Sequence, residues 1–206
     1  MNLTLPKFDT EQTMFFNSKD ISSKHLAIAA ALAFFMLLTR GSHVLTHVAL
    51  PDASLALLLI GGLYLRKTVW LVGLVMLATA IDFSAAAIDS LQAYCLTIGY
   101  WGMLPTYAVM WLAGVWLGKQ SNGLDALKFS LAAAVSTIAA FVISTQTYYL
   151  FSGRFPNHGL VETMQYGWNY LPSYLAYTAM YLVAFWALAK ASSKLNIIKS
   201  PTSHTA

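Results

Sequence analysis

The sequence predicts an all-α polytopic membrane protein, a single bundle of six transmembrane helices. Three observations carry the prediction. Of 206 residues, 58% are hydrophobic and only 10% are charged, whereas a soluble domain carries about 25% charged residues. The mean hydropathy is +0.60 over the whole chain, with room for several spans of roughly 20 residues. The net charge of +4 comes from basic residues strung between apolar runs. It therefore reads as membrane topology and not as a nucleic-acid surface.

Residues 1–23 read as a polar cytoplasmic tail that lies along the membrane surface at Met14, Phe15 and Phe16. The tail carries Asp9, Glu11, Lys19 and Asp20 and no clean apolar core, so it does not read as a cleavable signal peptide. The first span then serves as the targeting signal. The transmembrane domain is expected over 24–190, and a second cytoplasmic tail over 191–206.

The first span is alanine-rich and covers about Lys24 to Thr39. Ala27 and Ala31 lie on one helical face, Ala29 and Ala33 on a neighbouring one. Small residues four apart let another helix approach closely, whether inside the bundle or in a partner. The second span runs from Pro51 to just before Arg66 and Lys67, and the third from Thr68 to Ile81. The stretch 82–104 is expected as loop and interfacial structure. Spans four and five cover Pro105 to Gly118 and Leu124 to Phe151. A second irregular connection, Ser152 to Tyr170, leads to the sixth span, Pro172 to Lys190. Pro51, Pro105 and Pro172 each stand where a span begins, and proline suits the first turn of a helix.

Six spans put both termini on one side. If that side is cytoplasmic, it holds Lys7, Lys19, Lys24, Arg66, Lys67, Lys119, Lys128, Lys190, Lys194 and Lys199, and only Arg40 and Arg154 lie outside. This asymmetry follows the positive-inside rule. The varied chemistry then falls on the outer face: His43, His47, Asp52, Asp82, Asp89, Cys95, Arg154, His158 and Glu162. That points to an extracytoplasmic ligand site.

Cys95 is the only cysteine, so the chain forms no internal disulfide and no dithiol redox pair. A free cysteine often acts as a small hydrophobe. Here it sits in a polar connection beside Tyr94, Tyr100, Trp101 and Tyr107. Its thiolate is also a good ligand for a transition metal. Without a second cysteine at ligand spacing a zinc site is disfavoured, and a single axial bond to a macrocycle-held metal fits better. Asp82 reads either as a solvated helix end or as a hydrogen-bonder to ligand amides. His43 and His47 are four apart, a spacing that is weak support for a metal site. Tyr170, Tyr174, Tyr177 and Tyr181 follow helical spacing on the sixth span, facing either a cavity or neighbouring helices. Arg154 either anchors the interface or closes over a ligand. No Walker motif, nucleophile elbow or dinucleotide fingerprint is present.

Several segments together are similar to a known family. They are Thr39-Arg40-Gly41-Ser42-His43, Leu50-Pro51-Asp52-Ala53-Ser54-Leu55, Gly62-Leu63-Tyr64-Leu65-Arg66, Asp82, and Tyr94-Cys95-Leu96-Thr97 with Tyr100. With the six-span outline they resemble the S-components of energy-coupling-factor (ECF) vitamin transporters, and more specifically the BtuM-type solitary vitamin B12 transporters. The segments cover roughly residues 27–118; the second half matches only in architecture.

The resemblance implies an S-component-like bundle in the bacterial inner membrane that binds cobalamin at its outer face and takes it up. It implies that Cys95 matches the family cysteine that coordinates cobalt and can help remove cyanide from cyanocobalamin. His43, Asp82 and Tyr100 match positions around that site. Tyr94, Arg154 and Tyr174 complete the expected ligand-contacting set. Ala27, Ala29, Ala31 and Ala33 match the small-residue face that meets an energising module. No other protein-held metal and no nucleic-acid partner is expected. Three alternatives stand beside this reading: an S-component for another small vitamin, a membrane enzyme using a reactive thiol or a haem, and a scaffold docking through the alanine face.

Overall fold

The computed structural model describes residues 23–40, 50–120, 126–155 and 159–198. All regular structure among them is helical. In chain order the elements are α1 (Ser23–Arg40), α2 (Ser54–Tyr64), α3 (Thr68–Ile88) and the single turn α4 (Ser90–Ala93). A 3-10 turn, Ile98–Gly102, leads into α5 (Met103–Gly118). Then come α6 (Ala126–Phe151), the short α7 (Leu160–Thr163), a second 3-10 turn (Trp168–Tyr170) and α8 (Leu171–Ile198).

Four segments are long and apolar enough to cross a membrane: α1, α3, α6 and Val161–Leu188. The other two predicted spans are shorter helices, α2 with 11 residues and α5 with 16. At 1.5 Å per residue, α2 extends only about 16 Å, half of a ~30 Å hydrocarbon core. It needs no greater length because it is not exposed to lipid. Nine of its 11 residues are buried, and α1, α3, α5 and α8 surround it. Leu58 and Leu59 are completely enclosed. A helix apolar on every side belongs in the centre of a bundle, and α2 occupies that centre.

Glycine makes the central contact tight. A Cβ on Gly62 would collide with the Trp111 carbonyl, and one on Gly114 with the Leu59 carbonyl. The backbones of α2 and α5 therefore touch directly, as small residues allow. At the far end Arg66 donates to the Gly118 carbonyl. The surrounding helices turn bulky apolar groups outward, among them Phe34, Val72, Met76, Leu131 and Val183. In water such a surface would be an aggregation liability; against lipid chains it is an ordinary exterior.

On α1 the buried stripe is Ala29, Leu32, Met36 and Thr39. Ala29 lies in the core with Ala33 packed against it, while Ala27 and Ala31 are exposed. The alanine pairs thus divide, one turned into the bundle and one away from it.

The stretch 82–104 departs from expectation. Its first seven residues continue α3 to Ile88, so Asp82 lies within the helix and not at its end. Pro51 also precedes its helix instead of standing in the first turn: α2 begins at Ser54. Pro105 and Pro172 do fall in the first turns of α5 and α8.

Candidate functional site

A cavity of about 680 Å³ opens at one end of the bundle. Its walls come from the end of α1, the segment just before α2, the last turns of α3, the segment 94–103, the end of α6 and the start of α8. Chain elements that alternate in direction bring these residues to the same end. The short α2 leaves the space, and Leu50 and Asp52 line the cavity just before it.

The cavity wall is organised by Arg40. Its Nε and Nη2 each donate to a different oxygen of Asp82, both at 2.6 Å. Its Nη1 donates to Asp52 Oδ2 at 2.8 Å and to Ser54 Oγ at 3.0 Å. The Arg40 side chain is only 10% exposed, Asp82 19% and Asp52 49%. A planar guanidinium matches a carboxylate with two parallel bonds, which lysine cannot do. Asp52 also accepts from the Ser54 N–H at 2.9 Å and the Ser54 hydroxyl at 2.6 Å. This places an anion at the positive end of α2. One cation and two carboxylates leave the cluster with a net charge of −1.

Tyr100 ties the cysteine-bearing connection to this cluster by donating to Asp82 Oδ2 at 2.8 Å. Burial holds the Tyr100 phenol above its ordinary pKa, with a hydrogen bond to Thr79 acting in the opposite direction and the Asp82 charge adding to the rise. The phenol therefore keeps its proton and remains a donor. The 3-10 turn around it is pressed onto α6. A Cβ on Gly99 would come within 2.8 Å of the Thr147 carbonyl, and one on Gly102 would strike the Thr147 side chain.

Cys95 sits in the turn just before this clamp, exposed in the cavity wall. Its carbonyl accepts from the Thr97 N–H at 3.0 Å. Tyr94, Tyr148, Tyr149, Phe155, Tyr170 and Tyr174 line the same cavity. The tilted rings of Tyr149 and Phe155 meet with centroids 4.7 Å apart, and Tyr174 meets Phe141 edge-on at 5.2 Å. The Arg154 guanidinium lies 3.5 Å from the centre of the Tyr94 ring.

Asp82, Tyr94, Cys95, Tyr100 and Tyr174 therefore line one cavity, and Arg154 does not line it but contacts the Tyr94 ring. His43 lies outside the described residues, as do His47 and His158. The tyrosine series on α8 divides: Tyr174 faces the cavity, Tyr177 is exposed, and Tyr181 donates to the Pro51 carbonyl at 2.7 Å. Among the described residues no three His, Cys, Asp or Glu side chains gather in a metal-binding group. The sequence alone marks Arg40 as a topological charge and as part of the segment Thr39–His43, and does not show its central role in the cavity wall. The available signal was the cost of charge near a membrane: Arg40, Asp52 and Asp82 all fall on the same predicted side and need partners there.

The Arg154–Tyr94 contact joins the two irregular connections next to Cys95 in the chain. A cation–π pair at an exposed site contributes about 0.5–1 kcal/mol. Arg154→Ala is expected to raise the rate of Cys95 alkylation by a maleimide roughly two- to fivefold, the same free energy expressed as a ratio. An unchanged rate would show that the contact does not shield the thiol.

No family model matches the chain, and no curated protein matches it. The site is therefore read from its own geometry.

Proposed function

We propose that this protein binds a corrinoid, vitamin B12 or a close relative, from the extracytoplasmic side of a bacterial inner membrane and takes it up. The observation that carries the reading is the position of Cys95: the chain's only thiol stands exposed in the wall of a large cavity rich in aromatic and polar groups. A corrinoid brings a metal already held by its own macrocycle and needs one further axial donor, which a lone thiolate supplies. Its amide-bearing rim needs hydrogen-bonding groups, for which Asp52, Asp82, Tyr100 and Tyr174 are available. A volume of about 680 Å³ lies in the range of ligand pockets, roughly 300–1,000 Å³. The open mouth leaves room for the parts of a larger ligand.

In this reading the Cys95 thiolate takes one axial position on cobalt of the bound substrate. With cyanocobalamin the displaced ligand leaves as cyanide and takes a proton from solvent; no electron moves in this exchange. Asp82 and Tyr100 fix the wall from which the thiolate acts, and Arg40 holds Asp82 in place. Six spans with both termini in the cytoplasm complete the proposal. The central α2 and the 16-residue α5 serve as the second and fourth spans, lengthened by the segments before them. The exposed Ala27 and Ala31 remain free to meet an energising partner.

The test is the absorbance spectrum of purified protein after loading with cyanocobalamin. Wild type is expected to shift the corrinoid bands away from those of the free vitamin, and Cys95→Ala to abolish the shift. Binding without any shift, or a shift that survives in Cys95→Ala, would remove the cobalt-ligand role. Absence of binding together with tight capture of a smaller vitamin would move the protein to another ligand.

A further inference from the structure

A second hollow, sharing no lining residue with the cavity, lies on the surface between α5 and α6. It is a crevice of about 450 Å³, open along its length and almost wholly apolar. Val109, Ala113 and Trp116 form one side, Leu131 and Val135 the other, and Lys128 stands at one end. From Lys128 to Ala139 it follows α6 for about 16 Å. Trp116 and Lys128 mark the end where Arg66, Lys67 and Lys119 also lie. In sequence, the stretches 65–68 and 119–128 hold four cations, Arg66, Lys67, Lys119 and Lys128, and one carboxylate.

We propose that this crevice is a binding site for an anionic phospholipid, with one acyl chain along α5 and α6 and the phosphate on Lys128. The almost wholly apolar lining suits an acyl chain. The charge selects the headgroup. Lysine forms charge-assisted hydrogen bonds with phosphate, and each basic group near an anionic membrane surface favours binding by about fivefold. Tryptophan at headgroup depth, here Trp116, is the ordinary marker of the interface.

The experiment is native mass spectrometry of the full-length protein in an equimolar mixture of phosphatidylglycerol and phosphatidylcholine with matched chains. Wild type is expected to retain one phosphatidylglycerol at least about fivefold over phosphatidylcholine. Lys128→Gln should bring the ratio close to parity while some lipid remains bound. Ala113→Leu, or Val135→Trp on the exposed rim should the first variant fail to fold, should prevent retention of either lipid. All three variants should leave the corrinoid spectrum unchanged, since the crevice and the cavity share no lining residue. Equal retention of the two lipids by wild type, or a ratio unaffected by Lys128→Gln, would overturn the proposal. So would a dimer that Ala113→Leu converts to monomer.

Discussion

Gly114→Leu is expected to leave little or no folded protein, whereas Gly73→Ala leaves stability unchanged or slightly raised. Both glycines lie inside long apolar helices, and nothing in helix propensity separates them. Gly114 has the Leu59 carbonyl directly where its Cβ would be, with the Leu63 nitrogen 2.8 Å and Gly62 Cα 3.0 Å away. These neighbours are backbone atoms, so no rotamer change makes room. The two helices must separate, and α2 holds the completely buried Leu58 and Leu59. Ordinary overpacking costs about 1–3 kcal/mol because side chains can shift; here the central contact of the bundle has to open. Gly73 has no atom within 4 Å of its Cβ position, and replacing a helical glycine by alanine gains about 0.5–1 kcal/mol. The measurement is thermal unfolding in detergent with corrinoid binding as a second readout. A Gly114→Leu protein that unfolds within a few degrees of wild type would mean that α2 and α5 are not in backbone contact.

The helices themselves were largely legible in the sequence. Lys24–Thr39 is Ser23–Arg40 in the structure, and the predicted Pro105–Gly118 is Met103–Gly118. Apolar content sets these boundaries, and lysine or arginine closes them. The clearest failure, the end of the third helix, has a physical cause. An aspartate in an apolar run reads as a terminus because an unpaired carboxylate does not stay in a membrane helix. Asp82 does stay, because Arg40 from 42 residues earlier meets both its oxygens. Once the charge is paired, Ser84-Ala85-Ala86-Ala87-Ile88 simply continues as a good helical sequence. The partner of a charge is a tertiary fact, and local sequence does not hold it. The same limit explains the two roles hidden in the tyrosine series: helical spacing gives the angle of Tyr174 and Tyr181 but not which neighbour each meets.

The candidate site was legible to a similar degree. Cys95 and Asp82 stand out by their chemistry, Tyr100 by the family resemblance and Tyr94 as its expected companion, and the fold brings all four to one cavity. What the sequence did not show is that the site rests on a salt bridge. The cysteine-bearing turn is attached to Asp82 only through the Tyr100 hydroxyl, and Asp82 is held by Arg40. Chemistry at the wall and stability of the bundle therefore share one residue.

Arg40→Met is expected to destabilise the protein by roughly 3–5 kcal/mol, the usual cost of removing one partner of a buried ion pair. The variant leaves Asp82 without its two 2.6 Å bonds in a setting where it is only 19% exposed. The loss of Asp52 as a partner adds little, because that carboxylate is half exposed and exposed pairs contribute about 0–1 kcal/mol. Arg40→Lys should fall between, since an ammonium keeps the charge but not the paired geometry. The decisive variant is the double Arg40→Met, Asp82→Leu. It removes both charges and is expected to recover most of the lost stability, because replacing a buried pair with apolar groups is often nearly neutral. Recovery of stability should not bring recovery of binding. With Asp82 gone, the Tyr100 hydroxyl loses its carboxylate acceptor and the turn carrying Cys95 is held to α3 only by Thr79 and by the edge contact between Tyr100 and Phe83. The double variant should thus unfold near the wild-type temperature and bind a corrinoid more weakly. A double variant no more stable than Arg40→Met alone would show that the pair is not the source of the loss, and one that binds like wild type would show that the tether does not position Cys95.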